Sequence, residues 1–336
     1  MNILSLFDGM GCAYLAFKRA NIPIGKYYAS EIDKYAKSVA KYNIPEYIDL
    51  GDITKINFSK LKDIDFIIGG SPCQDLSIAK KNRQGLKGNK SCLFFKFVEA
   101  LQIIKPKYYI LENVSSMSVE NINTISFILG SNPTEINSAL VSAQNRKRLY
   151  WTSSFWQIPQ PIDKGILLKD ILEKNVSEKY YISDKLLKTF SKPSGKNKTF
   201  KSMKVKNKND KAATLNSRYY KMGRGDNYVN SSQAKTGLYM IQTARGVNKG
   251  GIKAENGKTP SMTTSSWEGN NHLYNNGKIR KLTPVECERL QTVKDNFTKE
   301  PNISDTQRYR MLGNSFTVDV IAHIIKQLTK DKKCQI

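Results

Sequence analysis

Cys73 stands in Ser71-Pro72-Cys73-Gln74, immediately after the apolar run Asp65-Phe66-Ile67-Ile68-Gly69-Gly70. A structural cysteine belongs inside such a run. One placed just beyond it, after Gly-Gly-Ser-Pro, suits a nucleophile, because the thiolate is the reactive form and is accessible near neutral pH. Glu112 follows a second apolar run, Tyr108-Tyr109-Ile110-Leu111, in Glu112-Asn113-Val114. A carboxylate at an inner strand end costs free energy unless it is paired or used. In Gln144-Asn145-Arg146-Lys147-Arg148, strand alternation would set Arg146 and Arg148 on one face; a solvated basic edge is the competing reading. A thiol, a carboxyl and two guanidiniums amount to a nucleophile, a proton donor and anion-binding groups.

A second group of residues points to a cofactor. Phe7-Asp8-Gly9-Met10-Gly11 closes the first apolar run and opens a helical pattern. Glycine there lets backbone approach a ligand, and a helix N-terminus favours negative groups. Glu31, at the end of the second strand, can accept from both hydroxyls of a ribose. Asp52, at the expected end of the third, can accept from an adenine amino group. Each signal alone is weak; three at successive strand ends fit an adenosine-containing ligand.

The elements that must hold these residues follow from periodicity. Strands are expected at 2–7, 27–32, 47–50, 65–70, 108–112, 136–141 and 149–153, with helices at 12–21, 34–43 and 93–105. Such alternation predicts βαβ units and a mainly parallel sheet covered on both faces, with ligands at the carboxyl ends of the strands. Thr283-Pro284 followed by Glu286 reads as a helix start. A last amphipathic helix is expected at 317–330, with Val318, Ile321, Ile324, Ile325 and Leu328 on one face. Between these parts, residues 159–278 hold 23 Lys and Arg against 9 Asp and Glu, with many Gly, Asn and Ser. The expected division is therefore 1–158 plus 279–336 as one domain, with 159–278 inserted as a smaller basic one. Within the insertion, the stretch from Lys211 echoes the stretch from Lys258, a hint of two similar strand–loop units.

The 336 residues carry a formal charge of +25, which favours a polyanionic partner because each neutralised phosphate releases counterions. A lysine-rich composition is the bland alternative. Cys12, Cys73, Cys92, Cys287 and Cys334 make no CxxC or Cys/His cluster, which argues against a disulfide framework or a structural zinc. No apolar run reaches 18 residues and no leader pattern precedes the first strand, so a cytoplasmic protein is expected.

Taken in order, FDGMG, Glu31, GDI, SPCQ, ENV, QNRKR, RKLTPVECERLQ and GNS resemble the cytosine-C5 DNA methyltransferase family. The likeness spans 3–158 and 279–328, and its wording is most similar to the de novo branch and to bacterial and phage enzymes. It implies a Rossmann-like, S-adenosylmethionine-dependent methyltransferase domain plus an inserted target-recognition domain. By position, Phe7, Asp8, Gly9, Gly11, Glu31, Ile32, Asp52, Ile53 and Leu93 would line the S-adenosylmethionine pocket, with Asn314 and Ser315 near its amino-acid end. Cys73 would be the nucleophile, Glu112 the group at cytosine N3, Asn113 its support, and Arg146 and Arg148 the arginines near the base and its phosphate.

The resemblance also implies a double-stranded DNA partner and a base flipped out of the helix. Ser77, Lys80, Lys81, Arg83 and Lys90 would belong to a closing loop over 75–90, Gln74 just before it would also touch DNA, and Arg218, Arg224 and Arg245 would belong to the DNA-reading segment. A monomer is expected, with a restriction endonuclease as candidate partner, in a prokaryote or phage. Departures exist: Lys90 replaces a frequent Arg, the usual Gly-x-Pro before Gln144 is missing, and the insertion is longer than in the de novo enzymes. Three alternatives stay open. A tRNA-directed member of the superfamily is usually compact, without a basic insertion such as 159–278. An amino-methyltransferase would need a DPPY-like tetrad, which is absent. A non-catalytic DNA-binding module would not need Cys73, Glu112, Arg146 and Arg148.

Overall fold

Ile3-Leu4-Ser5-Leu6 is buried along its whole length, as a strand covered on both sides must be. In the computed structural model this strand, β1 (Ile3–Leu6), is an interior strand of a seven-stranded sheet. The structure describes residues 1–71, 93–181, 211–212, 238–242, 251–252, 254–257, 259–260, 272–275 and 278–330. The sheet's other strands are β2 (Tyr27–Ser30), β3 (Tyr47–Asp49), β4 (Phe66–Gly69), β5 (Tyr108–Val114), β6 (Thr134–Asn137) and β8 (Lys147–Thr152), in the order β3-β2-β1-β4-β5-β8-β6. Strands β1 to β5 pair in parallel; β8 is antiparallel to both β5 and β6. The expected mainly parallel α/β sheet is what forms.

Helices α1 (Cys12–Arg19), α2 (Lys34–Asn43), α3 (Leu93–Ile104) and α4 (Val119–Leu129) connect the strands. Asp33 starts α2 by accepting from the backbone N–H of Tyr35 at 3.0 Å and of Ala36 at 3.4 Å, the usual N-cap device. The core on the α3 and α4 side gathers Leu4, Leu6, Ile67, Phe94, Phe97, Leu111 and Trp151, all fully buried; each such side chain is worth roughly 1.5–3 kcal/mol when withdrawn from water. The last helix buries Val318, Ile321, Ile324, Ile325 and Leu328 as its periodicity requires. It packs against α1, where Arg19 pairs with Asp319.

Two sequence expectations change. The strand expected at 136–141 runs instead from Thr134 to Asn137, and Ser138–Leu140 forms a 3-10 turn. Ser138 N–H donates to Arg146 O at 3.0 Å, so the chain turns back before the apolar run ends. Asp52 does not end β3. Gly51, at φ 68°, breaks the strand direction, and Asp52 caps a following 3-10 turn, Ile53–Lys55.

The chain divides into two compact units, residues 1–137, 147–161 and 316–336 in one, and 138–146 with 162–315 in the other. Residues 279–315 therefore group with the second unit, whereas the sequence pattern assigns them to the larger domain. In the second unit, β7 (Gln144–Asn145) pairs in parallel with β13 (Thr259–Pro260), and β9 (Lys211–Ala212) pairs with β12 (Ala254–Gly257). A four-stranded antiparallel sheet has the order β11 (Gly251–Ile252), β10 (Leu238–Gln242), β14 (His272–Asn275), β15 (Lys278–Lys281). Beyond its first two residues, the stretch from Lys211 lies outside the described residues, as does most of its echo from Lys258. The unit also holds α5 (Leu168–Ile171), α6 (Pro284–Leu290) and α7 (Asp305–Asn314); the final helix, α8 (Val318–Lys330), belongs to the first unit.

Candidate active site

The turn after β1 is shaped by positive φ angles at Phe7 (59°), Gly9 (63°) and Gly11 (85°). A side chain at Gly11 would run into Ile44, whereas a Cβ at Gly9 would meet nothing within 4 Å. Gly9 is thus required by backbone conformation while the space beside it stays open. Gly9 N–H donates to Glu31 Oε2 at 2.8 Å, and the other carboxylate oxygen accepts from Ile32 N at 2.8 Å and Asp33 N at 2.7 Å. Three backbone donors therefore fix the Glu31 carboxylate at the end of β2. Next to it, the Ile32 side chain is 74% exposed, an apolar surface beside an ordered acceptor. Asp52 Oδ1 accepts from Thr54 N at 2.9 Å, and that backbone donor lowers its pKa. Ile53 is buried, and Phe7 and Leu93 pack half-buried against the same core.

Asp8 differs from the role that the resemblance implies, that of lining a ligand. It is buried beneath the turn, where Oδ1 accepts from Ser5 Oγ at 2.6 Å and from the Tyr27 hydroxyl. Oδ2 has no hydrogen-bond partner among the described residues. Burial pushes its pKa up to about 7; the bonds from Ser5 and Tyr27 pull the other way and the nearby Glu31 charge adds to the rise. In the unfolded chain this carboxyl ionises near 3.8. Between those values the folded protein holds a proton that the unfolded chain has lost, so the stability owed to Asp8 falls as pH rises from 4 to 7. Asp8→Asn keeps the acceptor and removes the ionisation. The stability of Asp8→Asn relative to wild type is expected to increase across that window by up to about 4 kcal/mol. Denaturant unfolding at pH 4.5, 6 and 8 measures it; a pH-independent difference would refute the assignment.

At the ends of β4 and β5 the second cluster assembles. Asn113 is buried, and its Nδ2 donates to Ser71 Oγ at 3.1 Å and to Ser71 O at 3.5 Å, while Oδ1 accepts from Val114 N at 2.8 Å. Ser71 is the last described residue before Cys73. On the same strand Glu112 pairs with Arg148, Oε1 to Nε at 3.0 Å, both side chains nearly buried. The pairing of Val114 with Arg148 and Glu112 with Tyr150 across β5 and β8 sets this contact. A Cβ at Gly70 would lie 2.9 Å from Phe316 Cε1 and 3.3 Å from Glu112 Oε2, so the backbone must be bare where ring and carboxylate close in. Neither Ser71, Gly70 nor Phe316 stood out in the sequence as a site residue; the Gly-Gly-Ser turn was the only available signal.

Arg146 and Arg148 do not share one strand. Arg146 falls in the break between β7 and β8, buried within the second unit, where Nη1 donates to Gly313 O at 3.3 Å and Nη2 to Ser315 O at 2.9 Å. The break arises because the Arg146 carbonyl is taken by Ser138. Asn314 is exposed at the end of α7. Ser315 is buried, with its hydroxyl turned back onto Met311 O at 2.7 Å and its carbonyl taken by Arg146 Nη2. Cys73, Gln74, Ser77, Lys80, Lys81, Arg83, Lys90, Arg218, Arg224 and Arg245 lie outside the described residues.

Comparison with known proteins identifies the family and the fold. The family described as C-5 cytosine-specific DNA methylase matches residues 1–330. The orphan methyltransferase M.SPRI of Bacillus phage SPR is 28% identical over 430 residues, covering 98% of this chain and 97% of that protein. The type II methyltransferase M1.ScrFI of Lactococcus lactis subsp. cremoris is 30% identical over 360 residues, covering 98% and 79%. The solved structure of the Entamoeba histolytica methyltransferase EhMeth superimposes with a TM-score of 0.64 at 20% identity, covering 99% of both chains; at that identity the likeness speaks for the fold. No described helix is long and apolar enough to cross a membrane. With a family match over nearly its whole length and a methyltransferase fold, the chain belongs to the C-5 cytosine-specific DNA methylase family.

Proposed function

We propose that the protein methylates carbon 5 of a cytosine flipped out of a specific duplex DNA sequence, through a transient bond between Cys73 and C6. The observation that carries the reading is the Asn113 amide. It ties Ser71, the root of the Cys73 segment, to the strand end that also bears the Glu112–Arg148 pair. On this reading Cys73, two residues beyond Ser71 in sequence, and the Glu112 carboxyl act on one small ring from neighbouring strands.

The cofactor turn fits S-adenosylmethionine: open space at Gly9, a pinned carboxylate at Glu31 for ribose hydroxyls, and the exposed Ile32 side chain for the adenine face. Phe7, Gly11, Asp52, Ile53 and Leu93 are read as completing this side, and Asn314 and Ser315, from the resemblance alone, as belonging to the amino-acid end. When bound, this cofactor supplies an electrophilic methyl group on a sulfonium. The protein supplies the rest. The Cys73 thiolate adds to C6, and the C5–C6 π electrons shift onto the ring towards N3. The Glu112 carboxyl, which must be protonated at that moment, meets that charge with a proton or hydrogen bond at N3 and recovers the proton when the C5 electron pair takes up the methyl group. Arg148 binds O2, and Arg146 favours the thiolate by its charge. After C5 is methylated it loses its proton, the C6–S bond breaks, and the electron pair returns to sulfur.

A stacked cytosine cannot present C6 to a thiol, so the base must leave the helix. Residues 159–278 are read as the target-recognition segment, with Arg218, Arg224 and Arg245 of the type that reads guanine edges. The lysine-rich stretch 75–90 is read as a closing loop in which Ser77, Lys80, Lys81, Arg83 and Lys90 touch DNA, with Gln74 just before it. The length and charge of the inserted segment favour DNA over tRNA.

The test is methyl transfer from tritiated S-adenosylmethionine to plasmid DNA and to total tRNA, followed by digestion to nucleosides. Label in 5-methyldeoxycytidine from DNA is expected. Label in tRNA alone would move the protein to the RNA branch, and label on an exocyclic amine would end the covalent mechanism.

A further inference from the structure

The end of α7 is closed in an unusual way. The last carbonyls of a helix have no partner within it, and here three successive ones each accept from a side chain. Met311 O takes the Ser315 hydroxyl, Leu312 O takes Gln291 Nε2 at 2.8 Å, and Gly313 O takes Arg146 Nη1. Ser315 O then accepts from both Arg146 Nη2, at 2.9 Å, and Gln291 Nε2, at 3.4 Å. The Arg146 cation lies at the negative end of the helix dipole, where it is favoured.

Gln291 adds a second tie between this cap and the segment carrying Arg146, beside the direct bonds of Arg146. It is fully buried directly after α6. Its Nε2 serves α7, and its Oε1 accepts from Gln144 Nε2 at 3.3 Å. Gln144 in turn donates to Leu290 O at 3.1 Å, a carbonyl also held by Ser142 Oγ at 2.6 Å. One amide, donating on one side and accepting on the other, therefore links three segments far apart in sequence. Neither an acid nor an apolar side chain can do both.

We propose that Gln291 is a positioning residue for the methyl-transfer reaction, setting Arg146 and Asn314 together by closing α7 onto the Gln144–Arg146 segment. The inference rests on the roles proposed above for Arg146 and Asn314. With Gln291→Leu, the carbonyls of Leu312 and Ser315 lose a donor and Gln144 loses an acceptor, so the tip bearing Asn314 is held to the Gln144–Arg146 segment with less support and can shift against it. Displacements on the order of 1 Å at remote supports cost up to about 10²-fold.

Calorimetric titration with S-adenosylhomocysteine is expected to give about 10-fold or more weaker binding for Gln291→Leu. The single-turnover rate on cognate DNA at saturating cofactor is expected to fall by a factor of about 10 to 10². A merely structural amide would lower only the active fraction, leaving affinity and rate per folded molecule unchanged. That result, both within about twofold of wild type, overturns the proposal. Should Gln291→Leu fail to fold, Gln144→Leu removes the other side of the amide contact and decides the question by the same two readouts. Arg146→Ala and Asn314→Ala are measured alongside. If these two keep wild-type rate and affinity, the assigned roles fall and the inference with them; if they are impaired while Gln291→Leu is not, the positioning inference alone falls.

Discussion

Replacing Cys73 with alanine is expected to slow methyl transfer by more than about 10³-fold while leaving affinity for DNA nearly unchanged. A factor of 10³ corresponds to about 4 kcal/mol of barrier. An effect of this size follows because carbon 5 of an intact cytosine is a poor nucleophile, and only addition at C6 puts enough electron density on it. The proposed contacts to phosphates would, by contrast, be spread over many lysines and arginines of a chain with net charge +25, so deleting one thiol should hardly alter them. The same chemistry predicts a trapped state. On DNA containing 5-fluorocytosine, C5 can be methylated but cannot release fluorine as a proton would leave, so the Cys73–C6 bond persists. Wild type incubated with such DNA and S-adenosylmethionine should give a band that survives a denaturing gel, absent for Cys73→Ala. Normal turnover by Cys73→Ala, or an identical adduct, would remove the thiol from the mechanism.

Loss of Glu286 should have the largest effect on stability. Its carboxylate accepts two bonds from the Arg280 guanidinium, each at 2.8 Å, and one each from the backbone N–H of Thr283, at 2.8 Å, and Glu173, at 2.9 Å. Neither side chain of the ion pair is appreciably exposed. Glu286→Ala leaves Arg280 charged and buried without its partner, and two backbone donors unsatisfied. Breaking a buried pair on one side typically costs about 3–5 kcal/mol, and denaturant unfolding should show a loss of that size. Replacing both partners, Arg280→Met with Glu286→Leu, removes the uncompensated charge and should recover most of it. If the double variant is as unstable as Glu286→Ala, the cost lies in the unsatisfied backbone donors and not in the charge.

Glu286 also illustrates what could be read in advance. Thr283-Pro284-x-Glu286 announced a helix start, and the structure contains that capping box, with Glu286 N donating to Thr283 Oγ1 at 3.2 Å and Glu286 Oε2 accepting from Thr283 N. The bidentate partnership with Arg280 was not legible, although only six residues separate them, because β15 must first pair with β14 to bring Arg280 round. Likewise, the buried face of α8 followed directly from its spacing of Val and Ile residues. The strand expected at 136–141 was cut short because a hydrogen bond to Arg146 competes with strand extension there.

Local order thus came from the sequence by itself: the alternation of strands and helices, the glycine turn after β1, the caps, and the residue types at strand ends. Periodicity and capping act over a few residues, so they can be read without knowing the fold. The tertiary structure alone decided which partners those residues have. It turned Asp8 inward to Ser5 and Tyr27, gave Asn113 to Ser71 and Glu112 to Arg148, and sent Arg146 to the end of α7. These contacts join residues up to 167 positions apart, and a hydrogen bond or ion pair over such a span depends on sheet register and helix placement, which no local pattern specifies.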